Sequence, residues 1–423
     1  MRPKILLVGG DGRPSGVPRH IEHLVGALSG DADVLVISDR DEGGYSHLRK
    51  SGTPHVEIDG LRNQPSLILL FRALRSLVMV CDRERPDLIW VHARLPSLLC
   101  RCLLALRLWR PASRLCFTHH GLPYGRGYHP LVHLFCKSLE SLLIAVSPPH
   151  HLVFLTHRMA GAMARDTGAG GMARHHVHVL ENCSDLRPFP PRRDPGMRHL
   201  VMTGRTGRQK DYDFAVRLWA HMPPVYRLTL CGPGTDSAAF KARIAGRIPA
   251  AAFARITFAG PQRDVRKLLQ SADAYLLTSR YEGTPIGTLE AFEAGLPIVL
   301  RNFDGAEDLV SRHPCALLVD GTDPVLDARR IDALLDRYQE RPDENAAAIR
   351  AVWRTYWSPK IFDHRARALV RAILTSPAQI PAGQPEHVRD GPGRHPDPCR
   401  SAAPPLPGQP PCCTDVSPLA ENG

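Results

Sequence analysis

No apolar stretch in this 423-residue chain approaches the roughly 18 residues that a membrane-spanning helix requires; Leu67 to Phe71 and Leu142 to Val146 stop far short. No transmembrane segment is therefore expected. CxxC and HExxH are both absent, and the eleven Cys are odd in number and irregularly spaced, which fits reduced thiols better than a disulfide framework. The start, MRPKILLVGG, has an apolar run too short for a signal peptide and ends in glycines, so it reads as a first strand and a cytoplasmic location is expected. No recognised nucleic-acid-binding motif accompanies the net charge of +12, so no nucleic acid partner is expected.

What is present is ordinary globular material, 43% hydrophobic and 23% charged. At about 150 residues per domain the length predicts two or three units. Two halves repeat one grammar of apolar strand, glycine turn and helical period. KILLVGG leads into a helix marked by Ile21, Leu24, Val25 and Leu28, and DVLVIS is the next strand. Further strands are expected at Leu88 to His92, Leu115 to His119 and Leu143 to Ser147. The second half opens with HLVMTGR, continues with a helix over Phe214 to His221, and adds RLTLCG, RITFAG, AYLLTS and PIVL. This alternation predicts an α/β fold with parallel sheets covered on both faces.

Proline-rich CSDLRPFPPRRDPG divides the halves, giving domains over 1–185 and 197–375, the latter including a terminal helix over Ile361 to Leu374, with a linker over 186–196. Over 376–423, twelve residues are Pro and large apolar side chains nearly vanish, so a disordered tail is expected. Between Leu61 and Arg114 ten Arg face Asp82, Glu84 and Asp87 among many leucines. Basic amphipathic helices of this kind suit an anionic membrane surface, making the protein peripheral on the inner face of the cell membrane; ordinary surface helices fit the same pattern.

The sharpest local feature is SRYEGTPIGTLEAFEAGLPIVL. Glu282 and Glu290 bracket Gly283, Thr284, Pro285, Ile286 and Gly287, a small-residue turn after a strand and before a helix that Gly295 ends. Unpaired amides and the positive dipole end at that helix start suit a phosphate or sugar oxygen, and two carboxylates are strong acceptors for hydroxyls. As a purely structural pair, Glu282 would be a turn residue and Glu290 a dipole-favoured one. TGRTGRQKDY puts Arg205 and Lys210 on one strand-to-helix loop, where paired cations would neutralise a diphosphate. CGPG puts Gly232 and Gly234 at another strand end, where missing side chains would let backbone approach a ligand. Asp-x-Asp pairs at Asp31/Asp33, Asp39/Asp41 and Asp211/Asp213 are no more frequent than chance, and HHVH at His175 to His178 reads as a solvated polar loop, so no metal is expected.

In order along the chain, GGDGRPSGVPRH, FTHHGLP, AVSPP, LENCSD, the Arg205 and Lys210 pair, CGPG and the Glu282 to Glu290 segment ending EAGLPIV resemble the family-4 glycosyltransferases across about 1 to 375. The resemblance implies a GT-B fold of two facing Rossmann-like domains. It also implies transfer of a sugar from a nucleotide-sugar donor with retention and without a metal cofactor, the acceptor being a saccharide or lipid-linked saccharide of cell-surface polysaccharide synthesis. By the same likeness Arg205 and Lys210 grip the donor diphosphate, Glu290 the ribose and Glu282 the sugar. His119 or His120 faces the sugar, and Gly16 lets the opening loop approach phosphate. Cys183 departs from the pattern, where Gly is usual, and a longer insert separates Gly16 from Gly9 and Gly10. Nucleotide-sugar epimerisation, phosphorolysis and a non-catalytic nucleotide-sugar-binding scaffold are the alternative readings.

Overall fold

The computed structural model describes residues 2–376 except 63–65, 123, 125–128, 188, 190–195 and 263. Two all-parallel sheets form within one folded unit. The first holds β1 (Lys4–Val8), β2 (Asp33–Ser38), β3 (His55–Glu57), β4 (Leu88–Val91), β5 (Arg114–His119), β6 (His151–Phe154) and β7 (His176–Val179), in the spatial order β3-β2-β1-β4-β5-β6-β7. The second holds β8 (Arg198–Thr203), β9 (Tyr226–Cys231), β10 (Ile256–Gly260), β11 (Ala274–Leu277), β12 (Ile298–Arg301) and β13 (Ala316–Val319), in the order β10-β9-β8-β11-β12-β13. Strands such as KILLV, LIWV and AYLL are apolar without alternation because helices cover both faces, and Ile5 to Val8, Leu88 to Val91 and Ala274 to Leu277 are buried throughout.

Each sheet reverses its winding once, between β1 and β4 in the first and between β8 and β11 in the second. Crevices at the carboxyl ends of strands open where winding reverses, and those are the places where α/β sheets take ligands. GGDGRPSG follows β1, TGRTGRQK follows β8 and SRYEGTPI follows β11, so the motifs with chemical character sit at these crevices.

Three elements differ from the sequence expectation. Leu143 to Ser147 is not a strand: Leu143 to Val146 end the helix Pro130–Val146, and the next strand is His151–Phe154. Its apolar run meets the core only at Leu143 and Ile144, while Leu142 and Val146 face outward, so helical spacing prevails. HHVH is no loop, because His176–Val179 pairs with β6 as the sheet's edge strand. Finally, the helix Pro359–Thr375 packs on the first lobe, not on the second with which it is grouped by sequence order. Its Phe362, Ala366, Leu369, Val370 and Ile373 join Ile21, Leu24 and Leu28 of the helix Gly16–Leu28 in one buried cluster. The preceding helix, Pro342–Tyr356, contributes Ala346 and Ile349 to the second lobe's core, so the chain crosses between lobes near Trp357. Apart from Ser376, the Pro-rich tail lies outside the described residues.

Candidate functional site

Thr278 follows β11, and its hydroxyl donates to the backbone carbonyls of Lys210 (3.0 Å) and Asp211 (3.2 Å) and so staples the loop after β8 to the loop after β11. That staple brings Lys210 and Glu282 together. Lys210 Nζ stands 2.8 Å from Glu282 Oε1, Ser279 donates to the same oxygen at 2.6 Å, and Gln209 donates to Oε2 at 3.3 Å. Three donors on one carboxylate fix its direction, which a free turn residue would not need. Arg205 is exposed on the same loop, and its charge is felt by Asp11 on the opening loop of the first lobe.

Beyond Glu282, Gly283 to Pro285 lead into the helix Ile286–Ala294, with Gly295 in the left-handed region (φ 77°) closing it. Gly283 lies against the first lobe so closely that a Cβ there would sit 2.4 Å from the His120 carbonyl oxygen and 2.8 Å from Leu155 Cδ1. A Cβ on Gly287 would meet the Tyr275 hydroxyl at 2.2 Å, so the helix start rests directly on β11. Ile286 approaches Gly16 across the cleft, 3.9 Å from where a Cβ on Gly16 would stand. Gly232 and Gly234 differ from expectation: the space left by their missing side chains holds the Gly204 carbonyl and the Thr206 side chain, so the glycines let the chain approach itself.

Glu290 is buried in the fifth position of that helix, and Arg19 of the first lobe reaches across to it, Nη2 to Oε1 at 3.0 Å. Burial pushes the Glu290 carboxyl above its ordinary range, against the pull of Arg19. A second strut lies beside the first. Asn182 Nδ2 donates to the Thr284 carbonyl at 2.7 Å, while its Oδ1 accepts from His20 Nδ1 at 2.8 Å. Leu186 N donates to Glu293 Oε1 at 2.8 Å, tying the connection between lobes to the same helix. Cys183 is fully buried in the first lobe's core, where a Gly would leave a void.

The two neighbouring histidines part ways. His119 ends β5, is buried, and stacks on Phe154 with ring centroids 5.1 Å apart; burial lowers its pKa to about 4. His120 follows the strand at the cleft, with its carbonyl against Gly283. Of the acidic pairs, Asp39 accepts the amides of Arg40, Gly60 and Arg62, whereas Asp211 caps a helix and pairs with the side chains of Arg280 and Arg301.

Arg19, His20, Gln209 and Ser279 are the contacts that sequence reasoning passed over. Arg19 and His20 stand in the PRH that closes the opening motif, one helical turn from Gly16, so helix periodicity puts them at the same mouth.

Residues 14–188 match the family model described as Glycosyltransferase Family 4, and residues 187–350 match that described as Glycosyl transferases group 1. Over 277 residues the chain is 24% identical to a UDP-Gal:alpha-D-GlcNAc-diphosphoundecaprenol alpha-1,3-galactosyltransferase of Escherichia coli, covering 61% of this chain and 68% of that protein. It is 23% identical to the amylovoran biosynthesis glycosyltransferase AmsD of Erwinia amylovora, covering 70% and 79%. The fold superimposes on Anabaena HepE in complex with UDP-glucose with a TM-score of 0.70 at 16% identity, covering 88% of this chain and all of that one. WaaG, a glycosyltransferase involved in lipopolysaccharide biosynthesis, gives 0.63 at 13% identity, with 88% and 100% covered.

Proposed function

Because the chain belongs to the family-4 and group-1 glycosyltransferases and has their GT-B architecture, we propose that it transfers a sugar from a UDP-sugar to a lipid-linked saccharide in cell-surface polysaccharide synthesis, with retention at the anomeric carbon. The observation that carries this reading is the convergence of Lys210, Glu282, the helix start at Ile286 and Glu290 on one mouth, facing His120 and Arg19 from the other lobe.

Charge builds on the diphosphate as the donor's sugar–oxygen bond breaks. Arg205, Lys210 and the helix dipole at Ile286 would neutralise that charge in place of a metal ion. Glu290 would accept the ribose hydroxyls, exchanging its ion pair with Arg19 for them. Glu282, already aligned by Lys210, Ser279 and Gln209, would bind the sugar hydroxyls, with His120 on the opposite side. Of the two histidines, His120 has the better claim because His119 is held in the sheet by Phe154. The strut from Asn182 to the Thr284 carbonyl favours a closed cleft, which would exclude water from the reacting carbon.

The acceptor side also supports a lipid. Among the described residues no helix is long and apolar enough to cross a membrane. Yet the helix Leu67–Glu84 exposes Leu67, Ile68 and Phe71 beside Arg72 and Arg75, and the helix Pro130–Val146 exposes Leu131, Leu134 and Phe135. Both helices cover one face of the first sheet. Large apolar groups outward beside arginines suit an anionic bilayer surface on which a lipid-linked acceptor is carried.

A melting-temperature panel of nucleotide sugars in EDTA, followed by NMR of the product's anomeric coupling, tests the reading. A UDP-sugar is expected to raise the midpoint, by about 2.7 kcal/mol of stabilisation at 100 times its Kd, and the product is expected to keep the donor's α configuration. No nucleotide sugar acting, dependence on added metal, or an inverted product would each overturn the corresponding part.

A further inference from the structure

Three imidazoles converge beside the carboxyl ends of β4 and β5. His20 comes from the helix Gly16–Leu28, His92 follows β4 and His120 follows β5, so the winding reversal of the first sheet gathers them. Their ring centroids are 4.8 Å apart for His20–His120, 5.4 Å for His20–His92 and 5.7 Å for His92–His120. One ring nitrogen of each lies within 4.8 Å of the other two, and among the described residues this is the group of three or more metal-ligating side chains that meets so closely.

Their hydrogen bonding is lopsided. His20 and His92 are buried, yet His20 Nε2, His120 Nε2 and both ring nitrogens of His92 are buried without a hydrogen-bond partner. Buried imidazole nitrogens left unpaired cost stability, and so many in one spot call for a common partner. His20 Nδ1 is the exception: it donates to Asn182 Oδ1 at 2.8 Å. That bond fixes the tautomer and leaves a lone pair on Nε2 aimed at the cluster, the outer-partner arrangement of metal-bound histidines. Burial holds all three rings neutral, with His20 lowered to about 4, so their lone pairs are available at neutral pH.

We propose that His20, His92 and His120 form a binding site for one borderline transition-metal ion of the Zn2+ class, and that an ion held there takes His120 away from the donor sugar. Three neutral nitrogens with no carboxylate among them select such ions over Mg2+ or Ca2+, which demand oxygen. Nitrogens bound tetrahedrally at the usual Zn–N distance of about 2.0–2.1 Å stand closer together than the present 4.8 Å, so binding would draw the rings inward. The binding claim stands on the cluster alone; the effect on turnover rests on the reading that His120 faces the sugar.

Chelator-treated full-length protein, titrated with Zn2+ against a chromophoric chelator and separately with Co2+, tests the proposal. Expected are one tight ion per chain and visible Co2+ bands without the near-ultraviolet absorption of thiolate ligation. His92→Phe should weaken binding at least about tenfold while its metal-free melting temperature shows it folded; His20→Gln serves if His92→Phe does not fold. Zn2+ should also inhibit sugar transfer reversibly by EDTA. Tight binding unchanged in both variants, binding lost instead in His178→Ala at the β6–β7 edge or in the tail variant Cys412→Ser/Cys413→Ser, or no tight binding would overturn the site. Zn2+ bound through His92 with turnover unaltered would overturn the inhibitory role alone, and because binding is read without donor it is judged apart from the transferase reading.

Discussion

Gly283 carries no side chain at a loop position where a Cβ would strike the His120 carbonyl of the facing lobe. Backbone cannot swing aside as a flexible side chain can, so Gly283→Ala is expected to wedge the cleft open. Turnover should fall by between roughly 10-fold and 100-fold, the scale of an ångström's misplacement, while far-ultraviolet circular dichroism and the melting temperature stay near wild type. Activity equal to wild type in a steady-state assay would show that the closed contact is dispensable. At this scale the sequence was most readable on short segments: Lys210 after β8 and Glu282 after β11 stand out by residue type and position, and the structure brings their side chains to 2.8 Å. Arg19 was not readable in that way. Its partner lies 271 positions further along the chain in the other lobe, and no local spacing encodes a contact across a cleft.

Strands buried on both faces were legible as short apolar runs, and the helices of the second lobe as amphipathic periods. What misled was length: LIAVS at Leu143 to Ser147 resembles such a strand until its burial is known, and of its apolar residues only Leu143 and Ile144 face the core. The same helix, Pro130–Val146, supplies half of the outward apolar face whose other half, Leu67–Glu84, was anticipated from its arginines. Phe71 and Phe135 are 69% and 67% exposed, an unfavourable placement in water unless something covers them. Flotation with phosphatidylglycerol vesicles should carry the wild-type protein upward at low salt. Arg72→Glu/Arg75→Glu should cut binding by about 1 kcal/mol per arginine, more than tenfold together, without changing donor affinity. Wild-type protein remaining at the bottom of the gradient would remove the lipid surface from the account.

Across the whole molecule, the position of Pro359–Thr375 shows why lobe membership could not be read from sequence order: an amphipathic helix goes wherever an apolar face waits, and that face is on the helix Gly16–Leu28. Buried histidines give the two lobes a shared pH response. Burial lowers His20 and His119 to about 4 and His23 and His313 to about 3, whereas in the unfolded chain each titrates near 6.5. The unfolded state therefore takes up more protons below that pH, so stability is complete above about pH 6.5 and declines as pH falls toward 4. Glu290 and Glu293, whose carboxyls burial raises, act in the opposite sense at the acid end. Urea midpoints should accordingly be level from pH 7 to 8 and drop steadily below; a level profile down to pH 4 would contradict neutral burial of these rings.

The proposed transfer requires the second lobe's groups to receive the donor without a metal ion. Calorimetry of the UDP-sugar in EDTA, comparing wild type with Glu290→Gln, tests that most directly. The hydrogen bonds of a charged acceptor are worth about 1.5–3 kcal/mol, so wild type should bind and the variant should bind some 10-fold to 100-fold more weakly with its far-ultraviolet circular dichroism unchanged. Equal affinity in the two proteins, or no binding by wild type until a divalent ion is added, would contradict it.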